Sequence, residues 1–231
     1  KTRIMNRSFS LPFLIMGVVF CVCLICSNLL EVKMISLGGI TATAGLIVFP
    51  ISYIINDCIA EVWGYRKARL IIWLGFLMNL MAVIFIQIAI ILPSAPFWDG
   101  QKPFETVFSS TPRILLASFI AFLVGSFLNA YVMSKMKISS KGKHFSLRAI
   151  TSTVVGESAD SLLFFPIAFG GVVPVNELLI LIVTQACLKT AYEIVILPVT
   201  IKVVRFVKKI DGSDVYDQKV SYNIFKIKEL Q

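Results

Sequence analysis

The sequence predicts an all-α fold: a polytopic membrane protein of six transmembrane helices with both termini on the cytoplasmic side. Three observations predict it. Hydrophobic residues fill 57% of the 231 positions and charged ones only 15%, where soluble domains carry about 25%, and mean hydropathy is +0.85. The apolar runs reach the roughly 20 residues that a helix needs to cross a bilayer. The Lys and Arg residues gather on one side of those runs.

In order, the runs are Leu11–Leu30, Ala42–Glu61, Arg69–Leu92, Ile114–Met133, Ile150–Val172 and Leu178–Val204. The first also fits a secretory signal peptide, but no A-x-A-type cleavage site follows Ser27-Asn28, so a retained helix is expected. Gly38-Gly39 precedes the second run. After the third, Pro93–Pro112 holds Trp98 and Phe104-Glu105-Thr106-Val107-Phe108. Proline at both ends stops the flanking helices, and a Trp suits the outer interface, so a short interfacial segment capping the bundle is expected. The fourth run carries Ala117, Ala121, Gly125 and Asn129 at every fourth position, a small-residue stripe that lets helix backbones approach. Gly170-Gly171 and Pro174 end the fifth. The short connections imply one transmembrane domain over residues 1–205, followed by a polar cytoplasmic tail over 206–231.

The formal charge of +9 is a topology signal. The N-terminal segment (Lys1, Arg3, Arg7), the second loop (Arg66, Lys67, Arg69), the fourth loop (Lys135, Lys137, Lys141, Lys143, Arg148) and the chain from Lys202 onward hold every Lys and Arg except Lys33, Lys102, Arg113 and Lys189. By the positive-inside rule those segments are cytoplasmic, and the basic charge does not describe a nucleic-acid surface. The partners implied are the lipid bilayer and no nucleic acid. Cys21, Cys23, Cys26, Cys58 and Cys187 all fall in apolar runs, where they read as packing residues rather than a metal or disulfide framework.

Charges inside the runs are the functional signal. A charge near the bilayer centre costs about 3 kcal/mol or more, so such groups face a bundle interior and serve a purpose. Asn56-Asp57 and Glu61 share one helix face near the cytoplasmic end of the second run. In the fifth, Thr153, Gly156, Glu157, Asp160 and Ser161 form a polar patch, with Phe164 and Phe165 a turn beyond. Asp160 lies about ten residues deep, roughly 15 Å, and Lys189 sits at matching depth in the sixth run, so the two are expected to pair. Gln185, Lys189 and Glu193 recur at i, i+4 and i+8, turning a polar face inward. Carboxylates that accept adjacent donors, a lysine, the amides of Asn129 and Gln185, and aromatic faces suit a small planar polar heterocycle.

Through these residues the chain resembles the queuosine-precursor transporter family, also described as vitamin-uptake-type transporters. The resemblance rests on Ser27-Asn28, Asn56-Asp57 with Glu61 and Gly64, Arg113 with Ala117-Ser118, the stretch from Ser152 through Gly156-Glu157 and Asp160-Ser161 to Phe169, Lys189, Pro198, Val215-Tyr216-Asp217 and Tyr222-Asn223-x-Phe225. It departs from many members at Glu157, Ser126 and Asn129. The resemblance implies an importer of 7-deazaguanine bases or queuine in the bacterial inner membrane, feeding salvage for tRNA modification, and not an enzyme.

With no G-x-x-x-x-G-K-[ST] motif, ATP hydrolysis through a P-loop is excluded. A solitary secondary carrier or facilitator, working without a cofactor, is therefore expected. The alternatives are a substrate-binding subunit of an energy-coupling-factor importer, served by an ATP-driven module, and a membrane enzyme using Glu157 and Asp160 with His144. A homodimer is left open. The substrate-binding residues expected are Glu157, Asp160, Lys189, Asn129, Asn56, Gln185, Phe164 and Phe165. Asp57 and Glu61 are expected to gate or couple protons.

Overall fold

The computed structural model describes residues 10–30, 33–37, 40–109, 112–172, 174–218 and 220–226. The basic N-terminal Lys1, Arg3 and Arg7 and the Gly38-Gly39 pair lie outside the described residues. The elements are α1 (Leu11–Leu30), a hairpin of β1 (Met34–Leu37) and β2 (Ile40–Thr43), a 3-10 turn (Ala44–Ile47), α2 (Phe49–Ile91), α3 (Gln101–Phe108), α4 (Pro112–Ser139), α5 (Phe145–Phe169) and α6 (Val175–Asp211). Among the described residues, four segments are long and apolar enough to cross a membrane: Leu11–Leu30, Ala44–Ile91, Gln101–Ser139 and Val175–Asp211. The protein is thus an all-helical bundle with one small hairpin, in which Met34 pairs with Thr43 and Leu37 with Ile40.

The hairpin is a correction to the sequence reading. Ala42 belongs to β2, and helix begins only at Phe49, where Pro50 occupies the first turn, a position that costs proline no hydrogen bond. The sixth helix likewise runs past the expected boundary at residue 205 and stops at Asp211, where Gly212 (φ +69°) caps it in the left-handed region. Between the prolines at 93 and 112, where the sequence reading expected a short interfacial segment, the chain forms α3. α3 buries none of its residues and is tied to the end of α2 by Gln101 Nε2 donating to Ile90 O at 3.0 Å.

The second loop proves not to be a loop. At 43 residues, an unbroken α2 would measure about 65 Å, twice the hydrocarbon thickness. It is broken at one residue, Gly64, with φ +80° and ψ 175°. A break strands backbone groups that must find other partners. Here the chain after α6 supplies most of them. Tyr65 N donates to Asp217 Oδ2 at 2.8 Å, Val215 N donates to Val62 O at 3.1 Å, and Lys137 Nζ donates to Glu61 O. The tail then follows α2, with Arg69 donating to Ser221 O and Asn223 O and Trp73 to Ile224 O. Tyr222 lodges between Tyr65 and Tyr131, its hydroxyl 3.0 Å from Ser134 Oγ.

α1 and α4 pack on α2 around Phe20, Tyr53, Ile59, Ile72, Phe122 and Phe127. Arg113 closes the far end of α5 by donating to Ile167 O at 2.5 Å and Gly170 O at 2.6 Å. Outward-facing Leu14, Val18, Phe85, Ile88, Val183 and Val195 are exposed, as a lipid-facing surface requires.

Gly64→Ala is expected to lower stability by about 1–3 kcal/mol, a fall of roughly 3–10 °C in melting temperature measured in detergent. Its Cβ would stand 2.7 Å from Asp217 Oδ1. Gly212→Ala, with a positive φ but no atom within 4 Å, should cost less.

Candidate functional site

Four helices turn polar groups toward one another in three tiers, about one helical turn apart. The uppermost, farthest from the α4–α5 connection, is held by Lys189 of α6. Its Nζ lies 2.8 Å from Glu157 Oε2 and 2.9 Å from Asp160 Oδ2, both on α5. The ammonium also sits 4.0 Å from the centre of the Phe49 ring on α2, a cation–π contact. The Lys189–Asp160 contact is a hydrogen bond. The Glu157 contact is an ion pair of poorer angle that leaves Oε1 without a partner.

One turn below, Asp57 of α2 accepts from Ser152 Oγ at 3.2 and 3.3 Å. Glu193 of α6 and Thr153 of α5 lie against it. Asn56 Nδ2 donates to Asn129 Oδ1 at 2.8 Å and Ser126 O at 3.1 Å, joining α2 to α4.

The third tier is ionic. Arg148 of α5 grips Glu61 with both terminal nitrogens, and Lys208 Nζ sits 2.7 Å from Glu61 Oε1. Lys137 and Lys208 meet Asp214 of the tail at 2.5 and 2.8 Å. Burial alone would raise the Asp214 carboxyl, but the hydrogen bonds from these two lysines outweigh it and hold the group below its ordinary value. Below this tier opens a cavity of about 360 Å³, lined by Glu61, His144, Ser146, Arg205 and Lys208 among others.

The upper two tiers are built around a close approach of α4 and α5. A Cβ on Gly125 would meet Gly156 O at 2.9 Å and Asp160 Cβ at 3.0 Å, and one on Gly156 would meet Asn129 Cβ at 2.8 Å and Tyr53 Cε1 at 2.9 Å. Two facing glycines thus let the backbones touch while Tyr53 fills the crevice beside them. Around it the polar atoms are incompletely satisfied. Tyr53 Oη, Asn56 Oδ1, Asn129 Nδ2, Thr153 Oγ1, Glu157 Oε1 and Ser161 Oγ are buried without hydrogen-bond partners. Native proteins leave few such groups, and their concentration makes this crevice the candidate site.

Most of the residues read from the sequence converge here: Glu157, Asp160, Lys189, Asn129, Asn56 and Asp57 in the upper two tiers, with Glu61 beneath. Three do not join them. Gln185 is half-buried with no hydrogen bond into the cluster, and Phe164 and Phe165 pack with Phe169, Leu178 and Ile182 in an aromatic knot one turn outward. Glu61 does not reach for water. It is 1% exposed and faces three cations. His144 stands at the start of α5, about 24 Å along the helix from Asp160, so no acid–base or metal group forms from the three. Tyr53 and Phe49 escaped the sequence reading because an aromatic in an apolar run carries no signal of its own. Arg148, Lys137 and Lys208 escaped it because they read as loop charges.

Tyr53→Phe and Ser161→Ala delete hydroxyls that bond nothing, so melting temperatures should stay within about 2 °C or rise. Lys189→Met should lower stability by about 3–5 kcal/mol, because it leaves two carboxylates buried without their cation. Thermal unfolding in detergent measures both.

Comparison with known proteins fits this arrangement. Residues 43–203 match the family described as "Putative vitamin uptake transporter". A "Probable queuosine precursor transporter" of Bacillus subtilis (strain 168) is 31% identical over 175 residues, 75% of this chain and 76% of that protein. The "Queuosine precursor transporter" of Escherichia coli (strain K12) is 29% identical over 143 residues, 62% of each chain. A "Probable queuosine precursor transporter" of Haemophilus influenzae is 28% identical over 128 residues, 55% of this chain and 52% of that protein. No solved structure matches, and none of these three relatives is named as a subunit of an energy-coupling-factor importer. The match over most of its length shows that the chain belongs to the vitamin uptake transporter family, integral membrane proteins of the bacterial inner membrane that are transporters and not enzymes.

Proposed function

We propose that the chain imports queuosine precursors, 7-deazaguanine bases or queuine, as a solitary secondary carrier or facilitator. One observation carries the reading: buried, unpartnered donors and acceptors surround the Lys189-bridged carboxylates, in a chain whose relatives bear that name. A guanine-like edge presents adjacent N–H donors, and Glu157 Oε1 and Asn56 Oδ1 are acceptors that lack them. Asn129 Nδ2 and the Tyr53 and Ser161 hydroxyls offer the complementary donors. Glu157 and Asp160 bind the base, Lys189 orients them, Asn56 and Asn129 add hydrogen bonds, and Gln185 lies along the same face of α6. Phe164 and Phe165 line the approach and offer faces for stacking.

In this reading α1, the two halves of α2, α4, α5 and α6 are the six spans, and the basic segments put both termini in the cytoplasm. The transmembrane domain then occupies residues 1–205, with the last turns of α6 and the tail to residue 231 at the cytoplasmic face. Asp57 and the Glu61 tier lie between the base and the cytoplasmic cavity, where a gate belongs.

The test is rescue of tRNA queuosine in cells that lack both precursor synthesis and their own importer, fed single precursors at low concentration. Rescue by at least one base is expected. Asp160→Asn or Lys189→Ala should abolish it with the protein still in the membrane. No rescue by any base, with the wild-type chain confirmed in the membrane, would overturn the assignment.

A further inference from the structure

The middle tier has a property that base binding does not explain. Among the described residues, the upper two tiers hold four carboxylates (Asp57, Glu157, Asp160 and Glu193) and a single cation, Lys189, which is engaged by Glu157 and Asp160. Asp57 and Glu193 have none. Both are fully buried, at 0 and 1% exposure. Neither Glu193 oxygen accepts a hydrogen bond of good geometry, although the Thr153 hydroxyl and the Asp57 carboxyl both lie against it. Two acceptors cannot bond each other without a proton between them, and two ionised carboxylates in contact repel in a medium that screens poorly.

The surroundings supply no other remedy. On α2 the pair is faced by Cys58 and, a turn away on either side, by Tyr53 and by Glu61, whose charge is already matched by Arg148 and Lys208. α4 presents the neutral Asn129, α5 presents Ser152 and Thr153 with Glu157 above and Arg148 below, and α6 presents Lys189 a turn above Glu193. Thr153 beside Glu193 and Asn129 beside Asp57 are neutral, so neither offsets the charge of a second ionised carboxylate.

We propose that Asp57 and Glu193 together form a proton-binding site, and that transport through this chain carries a proton on that pair. It extends the import reading by naming what energises it. A proton from the outer aqueous phase binds between the two carboxylates. It leaves for the cytoplasm when the Glu61 tier opens, with no covalent bond made or broken beyond the O–H. The site is separate from Lys189, so base and proton occupy adjacent turns of the same helices.

Two measurements test it, and the first does not depend on the substrate. Infrared spectroscopy of the purified, substrate-free protein at neutral pH should show the carbonyl stretch of a buried protonated carboxyl. That band should be lost or shifted in both Asp57→Asn and Glu193→Gln, each checked for folding by its melting temperature. The absence of such a band in the wild type, or its survival unchanged in both folded variants, would overturn the proposal. The second uses vesicles containing the chain and a 7-deazaguanine base. An inward gradient of one pH unit should drive about tenfold accumulation for one proton per base. Glu193→Gln should abolish accumulation. Uptake that ignores the pH gradient, or follows a sodium gradient instead, would also overturn proton coupling. If the base is never taken up while the infrared band behaves as stated, the proton site stands and the substrate assignment falls.

Discussion

A carboxylate removed from water without a cation costs several kcal/mol, and in this bundle Lys189 meets that cost for two carboxylates at once. Its position fixes much else. To hold Glu157 and Asp160 from α6, the lysine requires α5 to turn that face inward, which brings Gly156 against Gly125 of α4. The same contact leaves a crevice that Tyr53 fills, with Phe49 one turn away beneath the ammonium. Remove the ion pair and there is no reason for α5 to bury its polar stripe. The aliphatic positions alone would pack equally well in several rotations, since lipid tails are as apolar as the core.

The second constraint is backbone hydrogen bonding at Gly64. α2 breaks into two halves at a single residue with positive φ. The stranded backbone groups are taken up by Asp217, Val215 and Lys137. The tail is therefore structural: Val215 and Asp217 replace hydrogen bonds that α2 gives up. It also supplies Asp214 to the ionic tier. The Val215-Tyr216-Asp217 and Tyr222-Asn223-x-Phe225 segments thus have a physical role, in which Asp217 caps the second half of α2 and Tyr222 wedges the tail between α2 and α4.

How much of this was legible in the sequence follows from what kind of signal each residue gives. Depth counting placed Asp160 and Lys189 together, because helical rise is fixed and two opposite charges at equal depth have few alternatives. The helices were legible too, with errors only where the chain departs from helix for reasons of backbone pairing: the hairpin before α2 and the elbow at Gly64. The ionic tier was not. Arg148, Lys137 and Lys208 served as topology markers, and nothing in a count of loop charges shows that three of them bend back onto Glu61. Phe164 and Phe165 sit one turn too far out to touch the upper tier, a distinction of about 5 Å that rotation around the helix axis decides. Tyr53 depends on which face of α2 turns inward, which the nearly uniform apolar run around it conceals, whereas the i, i+4, i+8 spacing of Gln185, Lys189 and Glu193 already put Glu193 on an inward face, and it is buried.

The order of the tiers constrains how anything bound near Asp160 reaches the cavity below. On the proposed import route the path crosses Glu61, whose carboxylate is held by cations on three elements, α4, α5 and α6. No single helix can leave and open it. The smallest motion that separates all three is movement of Glu61 itself with the first half of α2. Gly64, three residues on, is the point where that half is already uncoupled from the second. The close-packed α4–α5 pair, with two glycines in contact, is by comparison a fixed wall. Breaking a buried ion pair costs about 3–5 kcal/mol, and a ligand can drive such a change only through a difference in its affinity for the two states. Asn56, Asp57 and Tyr53 ride on the same half of α2. On the proposed gating role of Glu61, whatever binds to them would be mechanically connected to that gate through one rigid stretch of helix.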